Sequence, residues 1–325
     1  MKRYGILCLI FALVLFAFSM AGQTQEKYPH RPIEVVVPFG PGGVADVIAR
    51  IYSEELSREL KVSITVVNRA GGTGIQGTIY VINSKKDGYT LLGAAGTSLY
   101  IMPAISKEAT YDSLKELFPL GHFGSVPNMF SVRSDSPFQT LNELVEYARK
   151  NPGKLKNAAS GLGNEGYFNV EILCAKNNIK IPTIPFKSGG ESAAAVLGGH
   201  TDLTADTLLI MGPHIKAGKL RGLAVTSKTR HPDFPNIPTT AELGHPDVNF
   251  RVWLGIYAPA GVPQQVLDVL IPVVEKVFNN PDVVRRATNA GLTVEFMGPE
   301  KFRKFIESAI IVAEKVAKEA NIVVK

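Results

Sequence analysis

Two glycine-rich segments carry the residue types that bind anions. The first is PFGPGGVAD at residues 38–46, and the second is SGLGN at residues 160–164. Each follows a predicted strand and precedes a predicted helix, so its backbone N–H groups can turn toward one point beside the positive end of a helix. Either segment alone could equally be a tight turn. Because both occupy corresponding positions in two similar units, they favour an anion site that both units share.

Three charged residues lie in or near the predicted loops. Asp46 falls in the first turn of a predicted helix, where a carboxylate caps free N–H groups, and this structural role is preferred to ligand contact. Asp206 ends a predicted strand and would point into the cleft between the two units that carry the loops. There it could bind a hydroxyl or an amine, or fix a loop. Lys187, in IPFKSGG, could attract an anion at the cleft rim, although a solvated lysine is the more ordinary role.

Motifs of catalysis and of cofactor or metal binding are incomplete in this sequence. Residues 72–77, GTGIQG, match G-x-G-x-x-G, but Thr97 and its neighbours stand where a dinucleotide fold needs an acidic residue. The six histidines lack metal-ligand spacing, and no nucleophile–base pair is visible. We therefore expect no enzyme, no cofactor and no metal. The first hypothesis is a binding protein without catalysis. A periplasmic hydrolase or transferase that uses the same site is the alternative, and an adhesin or interaction protein is a third hypothesis.

The start of the chain predicts export. Lys2 and Arg3 precede an apolar run at residues 6–18, and Ser19-Met20-Ala21 supplies small residues at the positions a signal peptidase reads. The run is shorter than the roughly 20 residues of a membrane span. Residues 1–21 are therefore predicted to be a signal peptide cleaved near Ala21, which places the mature protein in the periplasm.

Charge and cysteine content exclude other classes. The formal net charge of +6 falls to +4 without residues 1–21, because that segment carries Lys2 and Arg3 and no acid. This mild excess suits an anionic ligand, whereas the scattered lysines and arginines argue against nucleic acid. Cys174 is the single cysteine left after cleavage and is predicted to be a core residue.

Strands and helices alternate along the rest of the chain. IEVVV at residues 33–37 is typical of a strand buried on both faces, and the strand–loop–helix order that follows it recurs, which predicts α/β units with parallel strands and helices on both faces. Two segments, near residues 125–127 and at residues 252–263, indicate crossings between two lobes. The predicted lobes are residues 27–126 plus 250–325, and residues 127–249, with a ligand cleft between them.

Nearly the whole mature chain resembles one known family. The segments that carry the resemblance are YPHRPIEVVVPFGPGGVADVIAR, VVNRAGGTGIQGT, KKDGYTLL, SGLGN, IPFKSGG, LGGHTDL, PHIKAGKLRGLAVTS, FPNIPTTAELG and WLGIYAPAGVP. In this order the sequence closely resembles the solute receptors of tripartite tricarboxylate transporters, the Bug family of periplasmic receptors.

The resemblance implies a two-lobed periplasmic-binding-protein (flytrap) fold. Each lobe would be a mainly parallel sheet flanked by helices, with two crossing strands as the hinge. It implies a small carboxylate held between the lobes, integral membrane subunits of a transporter as partners, and a monomer. The candidate ligand-binding residues are Phe39, Gly42, Gly43, Val44, Ala45, Asp46, Thr97, Ser160, Gly161, Gly163, Asn164, Tyr167 and Asp206.

Two departures from the family pattern bear on the ligand. Val44 and Ala45 stand where the family usually has Ser or Thr beside the paired glycines. In the second loop, Asn164, Glu165 and Tyr167 occupy a stretch where the family usually has Ser or Thr and then His. At the first loop a hydroxyl donor is lost and apolar wall is gained. This argues against a tricarboxylate such as citrate and favours a monocarboxylate or a less polar dicarboxylate, aromatic ones included.

Overall fold

The computed structural model of the protein describes residues 27–323. The predicted signal peptide and its cleavage near Ala21 lie outside the described residues. Within residues 27–323, no helix is both long and apolar enough to cross a membrane.

Strands and helices alternate through most of the described chain. The strands are β1 (Ile33–Val37), β2 (Ile64–Asn68), β3 (Thr90–Ala95), β4 (Leu117–Val126), β5 (Asn128–Arg133), β6 (Asn157–Ala159), β7 (Thr183–Pro185), β8 (Leu203–Thr207), β9 (Leu220–Val225), β10 (Val252–Pro259) and β11 (Thr293–Met297). The α-helices are α1 (Val44–Leu60), α2 (Ile75–Ile82), α3 (Met102–Ile105), α4 (Ser113–Glu116), α5 (Leu141–Lys150), α6 (Glu165–Asn177), α7 (Gly189–Leu197), α8 (Leu208–Lys216), α9 (Gln264–Phe278), α10 (Pro281–Asn289) and α11 (Pro299–Glu319). A 3-10 turn (Gly72–Gly74) precedes α2, and a π-helical turn (Thr97–Ile101) precedes α3.

The strands form two sheets flanked by helices, which confirms the predicted fold class. The first sheet has the order β11-β4-β10-β3-β1-β2, and the second has the order β7-β6-β8-β5-β9. The chain passes from the first sheet to the second between β4 and β5, and it returns between β9 and β10. The exact residues at which the lobes divide, 126/127 and 249/250, stay a prediction.

The expectation that each sheet is mainly parallel needs correction, because both sheets are mixed. In the first sheet β1 pairs in parallel with β2 and β3, but β10 is antiparallel to β3 and β4, and β11 is antiparallel to β4. In the second sheet β6 is parallel to β7 and β8, but β5 is antiparallel to both β8 and β9. The antiparallel pairs involve the strands beside the crossings. The outgoing β4 and the returning β10 lie next to each other, and therefore run in opposite directions.

The local sequence explains the elements beside the first loop. Three of the five residues of β1, Val35, Val36 and Val37, are fully buried, as a β-branched run between two helix layers requires. In α1 the buried residues include Ile48, Tyr52 and Leu56, which recur at helical spacing. This face packs α1 against β1, β2 and β3. The strand and the helix that flank the first loop are therefore fixed by the core of the first sheet.

The second unit is fixed in the same way by α6. Its buried residues include Phe168, Ile172 and Cys174. Burial raises the pKa of the Cys174 thiol to about 12. The side chain is thus a neutral, inert core residue, as predicted.

An aromatic cluster lies behind the first sheet. The rings of Phe123 on β4 and Phe278 on α9 stack with centroids 4.4 Å apart, and the ring of Tyr52 lies 5.4 Å from that of Phe278. Phe123 and Phe278 have no exposed surface. Because this cluster joins α1, α9 and β4, it ties the first loop's helix to a crossing strand.

We expect Phe123→Ala to lower the free energy of unfolding by about 3–5 kcal/mol, because truncating a buried aromatic ring loses apolar burial and leaves a cavity. Urea unfolding followed by circular dichroism measures the change. Ile311→Ala is the control, since Ile311 on α11 is 65% exposed. Equal losses for the two variants would show that the cluster does not stabilise the fold.

Candidate functional site

A cleft of ≈ 300 Å³ lies between the two sheets. Loops that follow β1, β2 and β3 line it on one side, and loops that follow β6, β7 and β8 line it on the other. The carboxyl ends of strands from both sheets therefore meet at one place, where ligands of open α/β sheets bind.

Several helices begin at this cleft. The first residues of α1 follow Gly43, and those of α8 follow Thr207, and neither start has a side-chain cap. The start of α6 follows Asn164, and that of α7 follows Ser188. Each helix start carries backbone N–H groups without partners inside the helix, together with the positive end of the helix dipole. Both sheets thus aim anion-binding groups at the same space.

The first loop is held open by Asp46. The Gly42 N–H, in a left-handed backbone conformation of φ +77°, donates to Asp46 Oδ2 at 3.0 Å. Asn68 Nδ2 donates to Asp46 Oδ1 at 2.9 Å, and Arg50 forms an ion pair with Oδ1 at 2.8 Å. Burial alone would raise the pKa of Asp46, but the hydrogen bonds from Arg50, Gly42 and Asn68 lower it below its ordinary value. The carboxylate is therefore charged and serves to shape the loop.

The second loop is held by Asn164. Its Nδ2 donates to the Ser160 backbone oxygen at 3.0 Å and to Ser160 Oγ at 2.9 Å, while its Oδ1 accepts from the Tyr167 N–H at 2.8 Å. Gly161 and Gly163 both have positive φ, +100° and +85°, which allow the tight path between these contacts. One side chain therefore caps α6 and closes the loop before it.

Two hydrogen bonds cross the cleft. Thr73 Oγ1, in the 3-10 turn before α2, donates to the Leu162 backbone oxygen at 3.1 Å. Thr97 Oγ1, at the start of the π-helical turn after β3, donates to Glu165 Oε2 at 2.6 Å. These hydroxyls beside the first sheet bond the loop that follows β6 of the second sheet and the first residue of α6, so the two sides are held at a defined separation.

Glu165 is a buried acid in the wall of the cleft. It lies in the first turn of α6, is 1% exposed, and has one oxygen, Oε1, without a hydrogen-bond partner among the described residues. Burial raises the pKa of Glu165 to about 7. The Thr97 hydroxyl and the backbone N–H groups of Thr97 and Glu165 oppose this rise, whereas the charge of Asp206 adds to it. A fraction of Glu165 therefore carries a proton near neutral pH.

Asp206 is a second acid in the same wall. It is the penultimate residue of β8, is 5% exposed, and lines the cleft. Ser192 Oγ donates to its Oδ2 at 3.0 Å, and the Thr207 N–H donates to its Oδ1 at 2.7 Å. Both oxygens thus hold the β8–α8 junction against α7, which is the loop-fixing role among the alternatives that the sequence left open.

The structure brings most of the candidate residues together. Those that line the cleft are Phe39, Gly43, Val44, Ala45, Thr97, Ser160, Gly161, Asn164 and Asp206. Gly42, Asp46, Gly163 and Tyr167 are not part of the lining but support it through the loop contacts above. Ligand contact by any of these residues stays a prediction.

Sequence reasoning missed several lining residues. They are Pro38, Gly40, Pro41, Ala70, Gly71, Thr73, Gly74, Ala95, Glu165, Gly166, Phe186, Lys187, Ser188, Gly189, Thr207, Ile210 and Val252. Lys187, which the sequence suggests as a rim residue, is one of them. For Ser188 the available signal was SGG before a helical segment, the same pattern as in the first two loops. For Glu165 it was the departure from the family's usual Ser or Thr.

Arginine does not line the cleft in the described part of the chain. Arg50 pairs with Asp46, and Arg69 lies 3.7 Å above the Tyr80 ring, with Glu34 3.7 Å away. The cationic side chain among the lining residues is the exposed Lys187. No group of three or more His, Cys, Asp or Glu side chains within residues 27–323 could hold a metal ion. The groups of the lining that could bind an anion are therefore backbone N–H groups, hydroxyls and Lys187.

The two mixed sheets with a cleft between them form the fold of a periplasmic solute-binding protein. An R. palustris protein solved with adipate has a TM-score of 0.85 and 29% identity, covering 91% of this chain and 99% of that one. MatC from Rhodopseudomonas palustris with bound malate has a TM-score of 0.81 and 25% identity, covering 89% and 99%.

Sequence comparisons give the family. The family model described as "Tripartite tricarboxylate transporter family receptor" matches residues 48–323. The "UPF0065 protein in tcbD-tcbE intergenic region" of a Pseudomonas species is 33% identical over 298 residues, 91% of this chain and 88% of the relative. BugT of Bordetella pertussis is 30% identical over 315 residues, 95% of each protein. The chain belongs to the tripartite tricarboxylate transporter receptor family, which confirms the resemblance found in the sequence.

We expect Glu165→Gln to stabilise the protein at high pH. The folded-state pKa of about 7 lies above the ordinary value of 4.5, so between these values the folded protein holds a proton that the unfolded chain has released. Stability therefore falls as pH rises through this window, by about 3 kcal/mol in total. Glutamine does not titrate and should escape the loss.

Urea unfolding of both proteins at pH 4.5 and pH 8 measures this difference. The advantage of Glu165→Gln should grow by about 3 kcal/mol toward pH 8. The control is Glu314→Gln, at an exposed position of α11, which should follow the wild type. A constant difference between Glu165→Gln and wild type would mean that the pKa of Glu165 is the same in the folded and unfolded states.

Proposed function

We propose that this protein is an extracytoplasmic receptor that captures a small carboxylate between its lobes and delivers it to the membrane subunits of a tripartite tricarboxylate-type transporter. The observation that carries the proposal is the convergence of helix starts from both sheets on one cleft. Preoriented N–H groups bind a carboxylate with little loss of conformational entropy. Membership of the receptor family and the adipate and malate bound by two structural relatives support the same ligand class.

The lining favours a ligand of low charge. Phe39, Val44, Phe186, Ile210 and Val252 supply apolar wall. The negative charge of Asp206 would repel a further carboxylate placed beside it. A monocarboxylate or a less polar dicarboxylate, including an aromatic one, therefore fits better than citrate. Export through the predicted signal peptide, action as a monomer and the absence of catalysis are parts of the same proposal.

Calorimetry with adipate, malate, benzoate and citrate tests the proposal. We expect saturable binding of at least one of the first three and weaker binding of citrate. Chromatography of the ligand after prolonged incubation should show no product. Product formation would favour a hydrolase or transferase acting in the same cleft, and no binding of any carboxylate would contradict the receptor function.

We expect Gly161→Val to weaken carboxylate binding by on the order of 100-fold, because a side chain at φ +100° strains the loop and displaces N–H groups that bind the anion. Calorimetry with the best ligand of the panel measures the loss.

Two controls separate this effect from its alternatives. Gly153→Val puts a side chain at a positive φ of +75° in a loop of the same lobe outside the cleft, with no atom within 4 Å of the new Cβ, and should bind as the wild type does. Arg50→Gln removes the positive charge that pairs with Asp46 beside the first loop. It should cause a much smaller loss of carboxylate affinity than Gly161→Val. If Arg50→Gln abolishes binding and Gly161→Val does not, a side-chain ion pair holds the anion.

A further inference from the structure

We infer that Glu165 binds the ligand as a neutral carboxylic acid, donating a hydrogen bond from Oε1 to a carboxylate of the ligand, so that the ligand is taken up together with a proton. This inference rests on the proposed function and adds the role of one residue. It makes Glu165 a specificity-determining residue for carboxylates that offer an acceptor oxygen at this wall.

The two oxygens of Glu165 differ in their hydrogen bonding. Oε2 accepts the Thr97 hydroxyl at 2.6 Å. Oε1 is buried and has no partner among the described residues. A neutral carboxyl group carries one O–H donor, and buried donors are almost always paired. With Oε2 already an acceptor, the proton belongs on Oε1. Glu165 belongs to the lining of the cleft, so a rotation of its side chain would bring this O–H to a ligand carboxylate bound there.

The charges around Glu165 favour the neutral form. The titratable groups that face it are Asp206 at the end of β8 and Tyr100 in the π-helical turn. Asp206 is acidic, and Tyr100 offers no positive charge. Lys187 also lines the cleft, but its side chain is exposed on the loop after β7. Within residues 27–323 the charge that shifts the pKa of Glu165 is that of Asp206, not of a cation. A buried carboxyl group in such surroundings lowers its cost of burial by holding a proton, and its pKa of about 7 agrees with this.

The opposite use of the same acid is an ionised Glu165 that binds an ammonium group of the ligand. The contacts disfavour it. Both oxygens of Asp206 already accept hydrogen bonds within the protein, and the helix starts around the cleft attract anions. The two uses differ in sign, because an ammonium would expel a proton from Glu165, whereas a carboxylate would draw one in.

Proton uptake by Glu165 makes the affinity for the ligand depend on pH. In the free protein Glu165 loses its proton as pH rises through about 7. A bound carboxylate holds that proton, because two adjacent negative charges repel each other. Affinity for the ligand should therefore be nearly constant below pH 6 and fall about tenfold per pH unit above pH 7. Over this range the carboxyl groups of adipate stay ionised to a far greater extent, so the ligand does not supply the dependence.

Calorimetry of adipate binding in two buffers of different ionisation enthalpy counts the protons taken up. At pH 8 the wild-type protein should take up close to one proton per adipate bound. If adipate does not bind, malate or benzoate replaces it as the probe. This measurement uses the wild-type protein and does not depend on the folding of any variant.

Glu165→Gln tests whether Glu165 takes up this proton, because the glutamine amide keeps a hydrogen-bond donor at this position but cannot titrate. We expect it to bind adipate with the same affinity at pH 6 and pH 8 and to take up no proton through this site. Glu314→Gln, at its exposed position on α11, is the control and should keep the uptake and the pH dependence of the wild type.

The outcomes separate this inference from the proposed function. Proton uptake in the wild type that disappears in Glu165→Gln supports the inference. Carboxylate binding without proton uptake, or with proton release, overturns it while the receptor function stands. If no carboxylate binds at any pH, the proposed function falls, and this inference with it.

Discussion

The first backbone N–H groups of an α-helix have no partners within the helix, and this structure depends on where those groups are placed. The starts of α1, α6, α7 and α8 lie at one cleft, although they come from two different sheets. Each start is held by a strand before it and by an apolar helix face behind it. The cores therefore serve to orient donors toward the cleft, and none of the lining residues within residues 27–323 is an arginine.

In a site built from N–H donors, the acidic side chains need partners of their own, because an unpaired carboxylate would compete with the ligand for the donors. Asp46 achieves this by pairing with Arg50 behind the first loop, and Asp206 by accepting hydrogen bonds from Ser192 and Thr207. Glu165 has neither an ion pair nor a partner for its second oxygen among residues 27–323, and its response to burial is a raised pKa. The same burial that shapes the wall of the cleft thus makes one wall residue sensitive to pH near neutrality.

Much of the fold followed from local patterns. The β-branched run of β1 and the helical spacing in α1 are properties of consecutive residues, so periodicity predicted them correctly. The mixed pairing of the sheets was missed because the direction of β10 relative to β3 and β4 depends on residues more than 100 positions apart. Likewise, Asp46 looked like a cap from its place in α1, but its bond from Asn68 required β2 to lie beside the loop.

The sequence by itself determined the class of the protein and the two glycine-rich loops, because glycine content, strand–helix order and family segments are readable along the chain. Tertiary structure alone decided that Thr97 and Glu165, 68 positions apart, share a hydrogen bond, and that Glu165 is buried. Burial and desolvation depend on every atom packed around a group, whichever part of the chain supplies it. A glutamate in the first turn of a helix is ordinarily expected to be a solvated carboxylate. Because Glu165 is buried in the wall of the cleft, it holds a proton to a higher pH instead.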